Sequence, residues 1–151
     1  MLQEQQQHPE MAETYGITGL VFNSLGRHEV ALEQYEKGLA IQITALGEDH
    51  PHVAGTYNNI AGVYDNQGKY EMALEQKEKC LATRIKTLGE DHPDVADTKY
   101  CLAGLLEKQG ELARAEGLFR DCADTYCKVH GAEHEETLDA LEHARVCEKG
   151  N

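Results

Sequence analysis

The sequence predicts an all-α protein built as a stack of helical hairpins, and three observations carry that expectation. The block Leu-Gly-Glu-Asp-His-Pro occurs at Leu46–Pro51 and again at Leu88–Pro93, with a degraded copy at Gly131, Glu133 and His134. Gly47, Gly89 and Gly131 therefore stand 42 residues apart, and self-similarity at such a period marks an array whose units bury their faces on one another. Within each period, apolar residues recur at spacings of three and four, which is the stripe of an amphipathic helix.

Setting Met11, Val53, Val95 and Thr137 in register gives repeats 11–52, 53–94 and 95–136 without gaps, then a partial repeat that supplies a terminal helix over 137–149. In the middle repeat the first helix is written by Val53, Tyr57, Ile60, Ala61 and Tyr64. Its second helix is written by Tyr70, Ala73, Leu74, Leu81, Ile85 and Leu88. Gly26, Gly68 and Gly110 fall between the two helices of each repeat, where a residue free to adopt left-handed backbone ends a helix. Gly47, Gly89 and Gly131 do the same after the second helix. Pro51 and Pro93 then fit a first helical turn, with Asp49, Asp91 or the adjacent histidines as caps. Glu135 replaces the proline in the last copy, which predicts a less rigid loop.

Ala31, Ala73 and Ala115 share one position, and Gly38, Cys80 and Cys122 share another. Both are small throughout, as a close crossing of two helices requires. Lys77 stands where the other repeats carry Tyr35 and Phe119, so the middle repeat is expected to pack less tightly there.

The spacing Ile60-Ala61, Tyr64, Gly68, Ala73, Cys80 resembles the tetratricopeptide repeat. Thr18-Gly19, Phe22, Gly26, Ala31, Tyr35, Gly38 and Leu102-Ala103, Leu106, Gly110, Ala115, Phe119, Cys122 reproduce it. The usual unit has about 34 residues, and the extra length here sits in the second helix and the loop. Together with Thr-Tyr-Asn-Asn-Ile-Ala at 56–61, the longer unit is similar to the kinesin-light-chain type. The resemblance covers almost the whole chain. It implies an α-α superhelix, a single solenoid domain spanning 1–151, of three hairpins plus a C-terminal capping helix. It further implies a noncatalytic interaction module that holds a peptide or partner helix on its concave face. The alternative is a structural assembly unit that associates through its ends or convex face.

Carried over by register, the concave positions are Glu13, Gly16, Leu20, Asn23 and Ser24, then Gly55, Asn58, Gly62, Asp65 and Asn66, then Asp97, Tyr100, Gly104, Glu107 and Lys108. The binding residues expected from this set are Glu13, Leu20, Asn23, Asn58, Gly62, Asp65, Asn66, Tyr100, Glu107 and Lys108. Asn58 leads, because an asparagine side chain matches both the N–H and the C=O of an extended peptide. Kinesin light chains, as a family, take acidic motifs on basic groove residues. Lys108 is the one basic residue among the positions mapped here, so the expected ligand is neutral or basic rather than acidic.

Composition sets further bounds. The net charge is -13, from 27 acidic against 14 basic side chains, which gives no general attraction for nucleic acid or an anionic membrane surface. Residues 1–10 are Gln-rich and lack the apolar core of a secretory signal. Five cysteines without a Cys-x-x-Cys pair fit thiols in a reducing compartment, the cytoplasm. His8, His50, His92 and His134 recur one per loop, too far apart for one coordination sphere, so neither metal nor any other cofactor is expected. No nucleophile elbow, phosphate loop or carboxylate pair points to an enzyme.

The ends differ. Glu142, Arg145, Glu148 and Lys149 predict a polar outer side for the last helix. Ile17, Leu20 and Val21 beside Tyr15 and Phe22 exceed one buried stripe, and His8-Pro9-Glu10 matches the tail of a preceding loop. The expectation is a preceding repeat removed from a longer chain, or self-association through this apolar edge.

Overall fold

The computed structural model describes residues 9–150, which form seven helices and no strand. They are α1 (Pro9–Ser24), α2 (His28–Leu46), α3 (Pro51–Asn66), α4 (Tyr70–Leu88), α5 (Pro93–Lys108), α6 (Leu112–His130) and α7 (Glu135–Gly150). The first helix of every repeat has 16 residues and the second has 19, so the duplicated sequence has become duplicated geometry. His8, one of the periodic histidines, lies outside the described residues.

The glycine punctuation works as its chemistry requires. Gly26, Gly68 and Gly110 take φ of 76°, 73° and 81°, and the following residue reaches back across each turn. The N–H groups of Arg27, Lys69 and Glu111 donate to the carbonyls of Phe22, Tyr64 and Leu106 at 2.9 Å, a six-to-one closure that satisfies carbonyls the helix leaves open. Gly47, Gly89 and Gly131 also hold positive φ, at 90°, 90° and 102°.

Of the capping candidates, the histidines do the work. His50 Nδ1 accepts from the His52 N–H at 3.1 Å, His92 Nδ1 from Asp94 at 3.0 Å, and His134 Nδ1 from Glu136 at 3.3 Å. Pro51 and Pro93 follow in the first turn, where no N–H is needed. The copy without proline still starts its helix at Glu135, and Thr137 Oγ1 ties the loop by donating to the Gly131 carbonyl at 2.9 Å. We expect His92→Ala to cost about 0.5–2 kcal/mol in urea unfolding and His92→Asn to restore most of it, since asparagine is a good cap acceptor.

The chain divides into two compact units, with the boundary between Thr83 and Arg84 inside α4. In the first unit, Ala31, Tyr35, Ile60 and Val63 form a core flanked by Phe22, Leu32, Leu39 and Tyr64. In the second, Ala96, Cys122, Ala123, Tyr126 and Ala140 pack together with Tyr100 against them. The small positions are where the helices touch. Ala31, Ala73, Ala115, Cys80 and Cys122 are fully buried, and a Cβ on Gly38 would meet the Ala12 carbonyl oxygen at 3.2 Å and Tyr15 Cβ at 3.3 Å.

Lys77, at the position of Tyr35 and Phe119, turns its ammonium outward to donate to Asn58 Oδ1. Its half-buried stem keeps contact with the protein while the charged head finds a polar partner. The outer side of α7 departs from the polar cap predicted for it. Glu148 pairs with Arg120 at 3.1 Å and Arg145 with Glu142, but Leu138, Leu141 and Val146 are exposed among them. Spacings of three and four that place the charges outward also carry these apolar residues around the same broad face.

Candidate peptide-binding site

Within the first unit, a cleft of about 720 Å³ opens between α1, the C-terminal end of α2 and the start of α3. Glu13, Gly16, Ile17 and Leu20 form its α1 wall, and Gly55, Thr56 and Asn59 its α3 wall. Gln42, Ala45 and Leu46 close the bottom. The two glycines explain the opening: a Cβ added at Gly16 or Gly55 would meet nothing within 4 Å. Thr56 Oγ1 lies 2.7 Å from Gln42 Oε1 and 3.1 Å from the His52 carbonyl, and its bond to Gln42 ties α3 to α2. Ile17 and Leu20 stand exposed at the opening, Leu20 by 56 %.

Glu13 and Leu20 are the predicted site residues that line this cleft. Asn23 and Asn66 meet instead at the other end of the same helix pair, where Asn66 Nδ2 donates to Asn23 Oδ1 at 3.2 Å. His28 Nδ1 approaches the same oxygen at 3.2 Å, which makes Asn23 a shared acceptor rather than an open one. Asn58 is engaged by Lys77. Gly62 again has open space where a side chain would be, and Asp65 is half buried at the end of α3.

The second unit holds the other three. Tyr100 meets Phe119 edge to face at 5.3 Å between ring centroids and His143 at 5.7 Å, and its hydroxyl donates to Asp139. His143 stacks on Phe119 at 4.9 Å and brings Nδ1 to 3.5 Å from Glu107 Oε2. Tyr100 is half buried in these contacts. Burial first, and then the hydrogen bond to Asp139, push its hydroxyl well above the ordinary phenol value. Lys108 is exposed at the end of α5. Gly16, Asn58 and Tyr100 share one register position, so a side chain fills in α5 the place that stands empty in α1.

Sequence reading missed the contribution of the second helix: Gln42, Ala45 and Leu46 line the cleft from α2, with His50 at the cap and His52 in the first turn of α3. The signal was available in the antiparallel register, which brings the end of α2 beside the start of α1.

The model of the tetratricopeptide repeat family matches residues 10–86 and again residues 52–128. The chain belongs to the tetratricopeptide repeat family. Among curated proteins no sequence match is found. Similar solved structures include the nearly identical TPR-like repeats of a protein described as a kinesin light chain from Podosopora anserina, with 24 % identity and a TM-score of 0.78 over 95 % of this chain and 70 % of that one. BtubC (BKLC) from P. vanneervenii gives 20 % identity and a TM-score of 0.77 over 95 % and 63 %. The N-terminal domain of stress-induced protein-1 from C. elegans gives 17 % and 0.70 over 91 % and 96 %. These likenesses are ones of fold, and two of the three are to proteins whose descriptions name a kinesin light chain or BKLC.

Tetratricopeptide repeats are in general protein-interaction folds, and three of the five thiols of this one are built into the packing. Burial raises the Cys122 thiol from 9.0 to about 12 and the Cys147 thiol to about 11, the latter also by its hydrogen bond to Glu107. Cys101 and Cys127 are exposed, whereas Cys80, Cys122 and Cys147 are buried. A thiol reagent at pH 8 is therefore expected to label Cys101 and Cys127 quickly and the other three only on unfolding. Because the folded state holds the protons of Cys122 and Cys147 more tightly, their contribution to stability is complete below pH 9 and is lost as pH rises toward 12. Stability rising over that window in a pH series would contradict this linkage. No helix among the described residues is long and apolar enough to cross a membrane.

Proposed function

We propose that this chain is a noncatalytic adaptor or scaffold module that holds a peptide or partner helix on the inner faces of its repeats, as one domain of three repeats and a terminal helix. The cleft between α1 and α3 is the observation that carries the reading, because it offers the exposed Ile17 and Leu20 on one wall and, at Gly16 and Gly55, space without a side chain to fill it. Glu13, Leu20, Asn23, Asn58, Gly62, Asp65, Asn66, Tyr100, Glu107 and Lys108 are the residues proposed to face the ligand. The net charge of -13 supports a neutral or basic ligand over an acidic one, and gives no support to nucleic acid or membrane as partners. Free thiols among the described residues support a cytoplasmic setting.

A titration of cationic, neutral and acidic peptides at low salt tests the ligand class, and tighter binding of the acidic set overturns it. Asn58→Ala with Asn66→Ala tests the surface, since binding that ignores both substitutions argues for another face. One observation favours assembly as a second reading: Ile17, Leu20 and Val21 of α1 and Leu25 just after it are all exposed, Leu25 by 66 %. Apolar surface of this kind seeks a partner. Sedimentation that finds only monomer at high concentration removes this second reading.

A further inference from the structure

We infer that the α1–α3 cleft is an anchor site for the apolar side chains of a cationic peptide segment. This deepens the interaction-module reading and rests on it. Its volume, about 720 Å³, falls in the range of ligand sites, roughly 300–1,000 Å³. Ile17, Leu20, Ala45 and Leu46 are among its lining residues, with Thr56 Oγ1 hydrogen bonded to Gln42 Oε1 beside them. Ile17, Leu20 and Leu46 are exposed there, so an apolar group that enters removes their surface, and its own, from water.

The charge at the opening selects what surrounds that anchor. Glu10 and Glu13 line the α1 side, and among the described residues no lysine or arginine lines the cleft. An acidic flank would meet two carboxylates, whereas a lysine or arginine beside the anchor residue would be drawn to them. The register explains why the pocket belongs to this helix pair. Gly16 leaves space where its counterpart in α5 is Tyr100, whose ring is packed against Phe119 and His143.

The test uses the full chain and three fluorescent ten-residue peptides: lysine-rich with one central leucine, the same peptide with alanine there, and a glutamate-rich peptide with leucine. The lysine-rich leucine peptide is expected to bind most tightly, and its alanine version about tenfold or more weakly, as loss of a buried leucine predicts. Gly16→Tyr fills the cleft as Tyr100 fills its place in α5, and is expected to weaken the leucine peptide by the same factor or more. Gly55→Leu does so from the opposite wall and serves if Gly16→Tyr does not fold. Gly117→Tyr, a like change in open space on α6, is the control and leaves binding unchanged. Binding indifferent to the leucine, to Gly16→Tyr and to Gly55→Leu overturns the pocket and leaves the module reading in place. Preference for the glutamate-rich peptide overturns the charge assignment. Failure of every peptide to bind the unmodified chain overturns the module reading itself.

Discussion

Phe119→Ala is expected to lower folding stability by about 3–5 kcal/mol, the loss associated with removing a buried aromatic ring. Phe119 is 1 % exposed. Its ring supports His143 in a stack with an interplanar angle of 23° and takes the edge of Tyr100 at 75°, so three helices lose a shared contact when it goes. Neither neighbour is able to collapse into the space, because Tyr100 is held by Asp139 and His143 lies beside Glu107. Urea unfolding followed by circular dichroism measures the loss. A change below about 1 kcal/mol would mean that the site relaxes far more than a packed interior allows.

The second large effect runs in the opposite direction, by adding atoms. Gly19 is buried in α1, and a Cβ there would lie 2.8 Å from Tyr35 Cε1 and 2.9 Å from Cδ1 and Cζ. Tyr35 is itself 1 % exposed, so its ring has nowhere to swing. Gly19→Leu is expected to cost about 1–3 kcal/mol through overpacking, even after about 1 kcal/mol is gained by removing glycine from a helix. In a Tyr35→Leu background the penalty shrinks, with a coupling of about 0.5–3 kcal/mol between the two sites. Additive losses in that cycle would show that the two residues do not compete for the same volume.

That pair also explains how much was legible before any coordinates. Gly19, Ala61 and Ala103 occupy one register position, and Tyr35, Lys77 and Phe119 another. Helix boundaries were readable because they are set by local chemistry: a glycine that adopts positive φ, a histidine that accepts an N–H, a proline that needs none. The choice between Asp49 and His50 as cap was not readable, since both are residues able to cap and they stand next to each other in the loop. The outward turn of Lys77 toward Asn58 was hidden for a similar reason. A long flexible side chain satisfies its charge wherever a polar partner comes within reach, and sequence distance does not fix that.

The candidate site was readable only as a set of positions. Register placed Gly16, Leu20 and Gly55 on one surface, but the depth of the cleft depends on side chains that are missing, and on the end of α2 lying beneath them. Tyr100 shows the limit of register most directly. The position that is vacant in α1 is, in α5, filled by an aromatic ring packed against Phe119.

The three six-to-one turns at Gly26, Gly68 and Gly110 join helices separated by only a few residues. Each hairpin is thus able to close before distant parts of the chain have met, which places folding in the microsecond-to-millisecond regime of low contact order. Nucleation then has several equivalent starting points, and fraying begins at the outermost helices rather than throughout the molecule.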